Sequence, residues 1–170
     1  MANVIRDFWR GVRRRRRWMP RQEWDALVSG DSCPMCANVE QQETRYGFLV
    51  ARLEVSNLSL SKNQYVSGYC VLIYREHATE IHRMPPETQA AFLRDLVQAG
   101  TAIAQVFRPD KMNYQLLGNL VPHLHWHIVP RYWGDPAPGR PIDPGGGGRF
   151  LQPAEYQRLI AELRSALGVV

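Results

Sequence analysis

Cysteine is scarce in this chain: three residues in 170, with Cys33 and Cys36 only two residues apart. That rules out the dense disulfide framework of a small secreted domain. Long apolar runs are missing as well. No stretch approaches the ~18 consecutive apolar residues that mark a membrane span. The basic N-terminal segment is not followed by the apolar core of a secretory signal, so export is not expected. A reducing, cytoplasmic setting is the expectation. Acidic residues are nearly absent from residues 1–21, where Asp7 stands against eight arginines.

That imbalance explains the net charge of +5. Beyond residue 21 there are 13 basic and 15 acidic side chains, so the body is near neutral and the basicity is a tail. The division is a basic tail over residues 1–19 and one domain over 20–170, long enough to bury a real core. The run Arg13–Arg17 could hold nucleic acid or an anionic surface through counterion release. No nucleic-acid-binding motif accompanies it, and a solvated extension is the simpler reading.

Patterning supplies the elements. Residues 20–29 (PRQEWDALVS) read as a short helix opened by Pro20 and closed before Gly30. CPMC follows in a loop. Residues 46–55 (YGFLVARLEV) read as one strand, SLSKNQYVSG as a polar connection, and GYCVLIY, 68–74, as a central strand. From Pro86 to Phe107 runs the clearest helix, with Phe92, Leu96, Ile103 and Phe107, joined by Leu93 and Val97, on one apolar face. KMNYQLLG, 111–118, is a further strand, residues 134–149 a long loop, and PAEYQRLIAELRSALG a final amphipathic helix. Hairpin-ordered strands around one long helix indicate α+β with an antiparallel sheet.

The stretch VPHLHWHIVPRY, residues 121–132, carries the chemistry. On a strand His123, His125 and His127 share a face, while Leu124, Trp126 and Ile128 turn to a core. Three readings stand: a solvated histidine-rich face, a metal site, or covalent catalysis. Imidazole is a good nucleophile at neutral pH, and neighbouring imidazoles can orient it and supply protons. Cys33 and Cys36 leave three readings open as well: a redox dithiol, a metal half-site, or an accident. Two thiolates cannot fill the tetrahedral shell of zinc, and with no second Cys-x-x-Cys the remaining ligands would be histidines, His77 and His123 being candidates.

His-Leu-His-Trp-His-Ile-Val resembles the His-φ-His-φ-His-φ-φ signature of the histidine triad (HIT) superfamily. Pro130-Arg131 behind it and Gly118-Asn119 before it resemble that family's surroundings. The likeness extends from about Cys33 to Tyr132 and is greatest to bacterial HIT hydrolases of the diadenosine polyphosphate type. It implies a five-stranded antiparallel half-barrel sheet with one long and one C-terminal helix, usually in a homodimer. It implies cleavage of dinucleoside polyphosphates or nucleoside phosphoramidates, with His125 forming a nucleotidyl-histidine and His127 contacting the phosphate and assisting the leaving group. A nucleotidyltransferase or phosphorylase, or a non-catalytic nucleotide- or nucleic-acid-binding module, are the alternatives. The family's zinc-binding members imply a structural site at Cys33, Cys36, His77 and His123. Asn119 is a candidate phosphate donor, whereas Leu120 stands where many members have a small hydroxyl residue. Asn63 and Gln64 are candidates for the nucleoside, and Asn113 for the same pocket. His82 is expected at the surface.

Overall fold

The computed structural model describes residues 19–137, 139–143 and 146–169. The tail, with Arg13–Arg17, lies outside them apart from its last residue. The chain runs α1 (Arg21–Val28), α2 (Pro34–Asn38), β1 (Gly47–Arg52), β2 (Ser56–Ser61), β3 (Cys70–Tyr74), a short 3₁₀ turn (Ile81–Arg83), α3 (Pro86–Phe107), β4 (Lys111–Leu116), β5 (His125–Arg131) and α4 (Pro153–Leu167). The strands form one open antiparallel sheet in the order β1-β2-β3-β5-β4. Helices α3 and α4 pack on one face and leave the other to the site.

Three sequence expectations about the elements need correction. Residues 46–55 are not one strand: the chain turns after Arg52, and β2 takes in the first three residues, 59–61, of the segment expected as a polar connection. The turn is held from the far side of the sheet. Asp95 on α3, buried, accepts from the Glu54 and Val55 backbone N–H groups at 3.1 and 2.9 Å and from Ser56 Oγ at 2.6 Å. Charge-assisted bonds of this kind are worth about 1.5–3 kcal/mol each. Polar residues fit β2 because it alternates: Leu58 and Leu60 are fully buried in the core, while Asn57, Ser59 and Ser61 face the opposite side.

The second correction concerns α3. Its buried face is Ala91, Phe92, Leu96, Ala99 and Ile103, whereas Leu93 and Val97 are 55% and 61% exposed. Each residue advances ~100° around a helix, which carries these two past the sheet contact and into exposure. CPMC likewise is not a loop: Cys33 precedes the single turn of α2, with Pro34 at its first position.

In β5 the expected alternation is present. Leu124 and Ile128 are buried, and Trp126 packs on Phe92 with ring centroids 6.3 Å apart. The strand starts at His125, so His123, expected on the same face as His125 and His127, stands just ahead of it and turns away from them toward Cys33 and Cys36. Pro130 lies beyond Ile128, the last residue paired with β3, where a missing N–H is tolerated.

Candidate active site and metal centre

A cavity of about 420 Å³ opens on the face of the sheet away from α3. Register builds it in rows. His125 lies opposite Ile73, and Ile73 opposite Asn57; His127 lies opposite Val71, and Val71 opposite Ser59. All six line the cavity, together with Tyr69, Ser61 and Leu49, and Pro34, Met35 and Val39 of the cysteine-bearing segment form part of its wall. Two histidines on one strand thus face a mostly apolar hollow edged by a polar row on β2.

The His125 ring is buried and bonded through Nδ1 to its neighbour's backbone, His123 O, at 2.6 Å. A carbonyl only accepts, so Nδ1 carries the proton and Nε2 keeps a lone pair. His127 stands beside it, ring centroids 4.8 Å apart and planes at 70°. Burial is the main cause of low pKa values here. It pushes His127 down to about 4, with His125 adding to the effect and Asp143 opposing it. His125 is lowered for the same reason, against the carbonyl bond that favours its charged form. Both rings are therefore neutral at pH 7, as a nucleophilic imidazole requires.

His123 turns the other way. Its Nε2 donates to Tyr74 O at 2.8 Å, and its Nδ1 lies 3.4 Å from Cys33 Sγ and 3.5 Å from Cys36 Sγ. His77 repeats the arrangement, with Nε2 donating to Val28 O at 3.0 Å and Nδ1 3.3 Å from Cys36 Sγ. The four ligand atoms lie within 4.8 Å of one another. These sulfur–nitrogen separations match the edges of a tetrahedron with metal bonds of ~2.0–2.3 Å. Both outward carbonyls fix the tautomer that frees Nδ1, a common support for metal-binding histidines.

Burial, reinforced by Cys33 beside it, pushes the Cys36 thiol up to about 11. Burial, with help from His77 and His125, takes His123 down to about 4. A cation among them would reverse the thiol preference and use the neutral imidazole. The residues fit a divalent metal. Gly30 helps to seat this cluster: its φ is +90°, and an added Cβ would stand 3.1 Å from the His77 ring.

Other sequence candidates lie elsewhere. Gln64 is buried as a brace, donating to Ser61 O and Tyr69 O and accepting from the Gly68 N–H. Asn63 ties residues 147–149 to the same turn, donating to Gly147 O at 2.6 Å and accepting from the Arg149 N–H. Asn113 accepts from Arg131 in a separate hollow on the β4 side. None of the three lines the histidine cavity. The alternating polar side of β2 does, and its signal was the strict alternation in SNLSLS. Asn119 is exposed in the β4–β5 connection, next to Leu120, which reaches the cavity rim. His82 is at the surface, 3.8 Å from Glu80. Cys70 is fully buried behind the sheet.

An open antiparallel sheet, two neutral histidines in one cavity and a Cys₂His₂ cluster at its edge define an α+β protein with a paired-histidine site beside a candidate metal centre. The family model of the HIT domain matches residues 42–134, more than half of the chain. The chain belongs to the HIT family, whose members are generally nucleotide hydrolases or transferases. It is similar to a histidine triad protein of Bradyrhizobium japonicum, with 29% identity over 71% of this chain and 90% of that one, TM-score 0.64. It shares its fold with a histidine triad protein of Marinobacter aquaeolei (23% identity over 80% and 96%, TM-score 0.66). It shares it also with a Zn-bound family member of Mycobacterium smegmatis (24% identity over 81% and 94%, TM-score 0.59). No curated protein matches the sequence. Among the described residues, no helix is long and apolar enough to cross a membrane.

Proposed function

We propose that the chain is a nucleotide hydrolase, splitting dinucleoside polyphosphates or nucleoside phosphoramidates through a nucleotidyl-histidine on His125. The observation that carries this reading is the His125 ring, whose Nδ1 is bound to His123 O in a cavity that also holds His127. The Nε2 lone pair attacks the α-phosphorus, an N–P bond forms, and the leaving group departs with the electrons of its bond to phosphorus. Water then adds to phosphorus, breaks the N–P bond and releases the nucleoside monophosphate. His127 contacts the phosphate and assists the leaving group. Asn119, in the β4–β5 connection, is the candidate donor to the phosphate. The apolar walls suit a base, and Asn57, Ser59 and Ser61 offer hydrogen bonds to the nucleoside.

The metal is inferred to be zinc, held by Cys33, Cys36, His77 and His123 in a structural role. The thiol–imidazole donor set and the Zn-bound relative support this. Bound there, it ties the cysteine-bearing segment to the residue whose carbonyl orients His125. Reduced thiols in that role fit a cytoplasmic setting. A homodimer is inferred through α3 and β4, because Leu93 and Val97 on α3, Tyr114 on β4 and Leu117 just after it are exposed, and β4 is an edge strand of the sheet. Light scattering that gives a monomer mass at micromolar concentration would refute the dimer.

The activity is tested with a panel of adenylated polyphosphates and phosphoramidates. Monophosphate release, its loss in His125→Ala, and a nucleotide mass trapped on the peptide bearing His125 are the expected results. Transfer to added phosphate or sugar phosphate in preference to water would identify a transferase instead. Nucleotide binding without turnover would identify a binding module.

A further inference from the structure

Tyr69 has no role in the reaction described so far, yet its phenol is placed with care. It precedes β3 on the same face as Val71 and Ile73, is only 8% exposed, and lines the histidine cavity. Its hydroxyl oxygen lies 2.6 Å from His127 Nδ1. The two ring planes are 14° apart, with centroids separated by 6.0 Å. A phenylalanine would fill this space without the cost of burying a hydroxyl.

Counting protons settles the direction of this bond. Burial raises the Tyr69 pKa well above its ordinary value, with Cys70 and Asp143 adding to the effect, so the phenol keeps its proton. A protonated phenol needs an acceptor, and among the described residues its side-chain partner is His127 Nδ1. The neutral imidazole accepts there and carries its own proton on Nε2.

We propose that Tyr69 is a positioning residue for His127, donating to Nδ1 and thereby holding Nε2–H as a hydrogen-bond donor toward the cavity. The consequence is a division of labour between two neutral imidazoles. His125 presents a lone pair, because a carbonyl occupies its Nδ1–H; His127 presents an N–H, because a phenol occupies its Nδ1 lone pair. Among the described residues, only Tyr69 holds His127 in this form; with its proton on Nδ1 instead, His127 would share the tautomer of His125 and turn a second lone pair toward an anionic phosphate. No proton transfer is required of Tyr69. The donor matters for phosphate charge only if the hydrolase reading holds, and on that point the inference rests on it; the tautomer does not.

Two measurements separate these. Imidazole ¹⁵N NMR of the metal-loaded wild-type protein at pH 7, with His127 assigned through His127→Gln, reads the tautomer directly. The expected result is an unprotonated, hydrogen-bonded Nδ1 with a protonated Nε2, moving toward a mixed-tautomer average in Tyr69→Phe. A protonated Nδ1 in the wild type, or an unchanged His127 signature in Tyr69→Phe, would overturn the proposal. In kinetics, Tyr69→Phe should lower kcat about tenfold with KM changed less than twofold, the scale of one hydrogen bond lost in the transition state. Equal kcat in an active wild type and Tyr69→Phe would also overturn it. The expected NMR result in a wild type that turns over no nucleotide would sustain the tautomer and refute the hydrolase.

Discussion

His123 and His125 stand two residues apart and are used in opposite ways. Each gives one N–H to a backbone carbonyl, but His123 gives Nε2–H to Tyr74 O, and His125 gives Nδ1–H to His123 O. The first choice leaves Nδ1 facing two thiols; the second leaves Nε2 in the cavity. A carbonyl thus decides which nitrogen is available and with what chemistry. The metal cluster uses that device twice, at His77 and His123, to make ligands. The cavity uses it once, to make a nucleophile. Identical side chains in one short segment differ in role because the backbone around them differs.

The strongest way to break this comparison is to disable each half separately. His125→Ala should lower turnover by at least about a thousandfold, since a covalent step has no substitute nucleophile, and should change the melting temperature little. Cys33→Ser with Cys36→Ser should do the reverse. Metal content should fall to background and the melting temperature by on the order of 10 °C, with activity declining only as folded protein is lost. Calorimetry, metal analysis and a turnover assay on both variants check the pair. A large activity loss in the double-serine variant at full stability would merge the two regions into one catalytic unit.

Acid should sharpen the same distinction more gently. His127 has a folded-state pKa of about 4 against an unfolded value of 6.5, because burial disfavours its charge. The unfolded chain therefore binds the extra proton first. The stability is fully present above pH 6.5 and is lost as pH falls toward 4. Metal release from thiols and imidazoles acts in the same direction. Urea titrations at pH 7.5, 5.5 and 4.5 should show falling midpoints. With the metal chelated beforehand, a residual slope should remain, and His127→Gln should reduce it. No pH dependence in the chelated protein would mean that His127 is not buried as a neutral ring.

How much of this was legible in the sequence follows from which interactions are local. The triad was readable because a period of two on a strand fixes which side chains share a face, and the chain places His125 and His127 together as that period requires. Cys33 and Cys36 were visible as a pair, elimination left histidines such as His77 and His123 as their partners, and the resemblance supplied the full set of four. Strand β2 was hidden because its cavity-facing half is polar, so its second half, residues 59–61, looked like the start of a connection when the alternation through NLSLS marked a strand with one functional face. Tyr69 was read only as part of an apolar run. Asn63 and Gln64 show the converse: polar residues near a site were taken for ligand contacts, whereas buried backbone nearby needed partners and took them. On α3, Leu93 and Val97 obey the helical spacing but extend beyond the width of the sheet contact, which depends on where β4 ends.

The smallest effect tests the metal side of the comparison alone, through Gly30→Ala. Gly30 follows α1 with a φ of +90°, a conformation that costs a non-glycine residue about 1–2 kcal/mol. The new methyl would also stand 3.1 Å from His77 Cγ and 3.2 Å from its Cδ2, tighter than an ordinary contact. The neighbouring Val28 O is the carbonyl that holds His77 Nε2, so backbone adjustment at Gly30 and displacement of the ring both disturb the same ligand. Metal affinity should fall about tenfold, the lower end of what is lost when the support of a ligand is removed. The cavity rings are held by His123 O and Tyr69, on other segments, and should not feel the change. Competition with a chromophoric chelator should therefore show weaker binding, while kcat with saturating metal stays within twofold of wild type. Unchanged affinity would remove His77 from the ligand set; a large fall in kcat at full metal occupancy would show that the two uses of histidine are not separable.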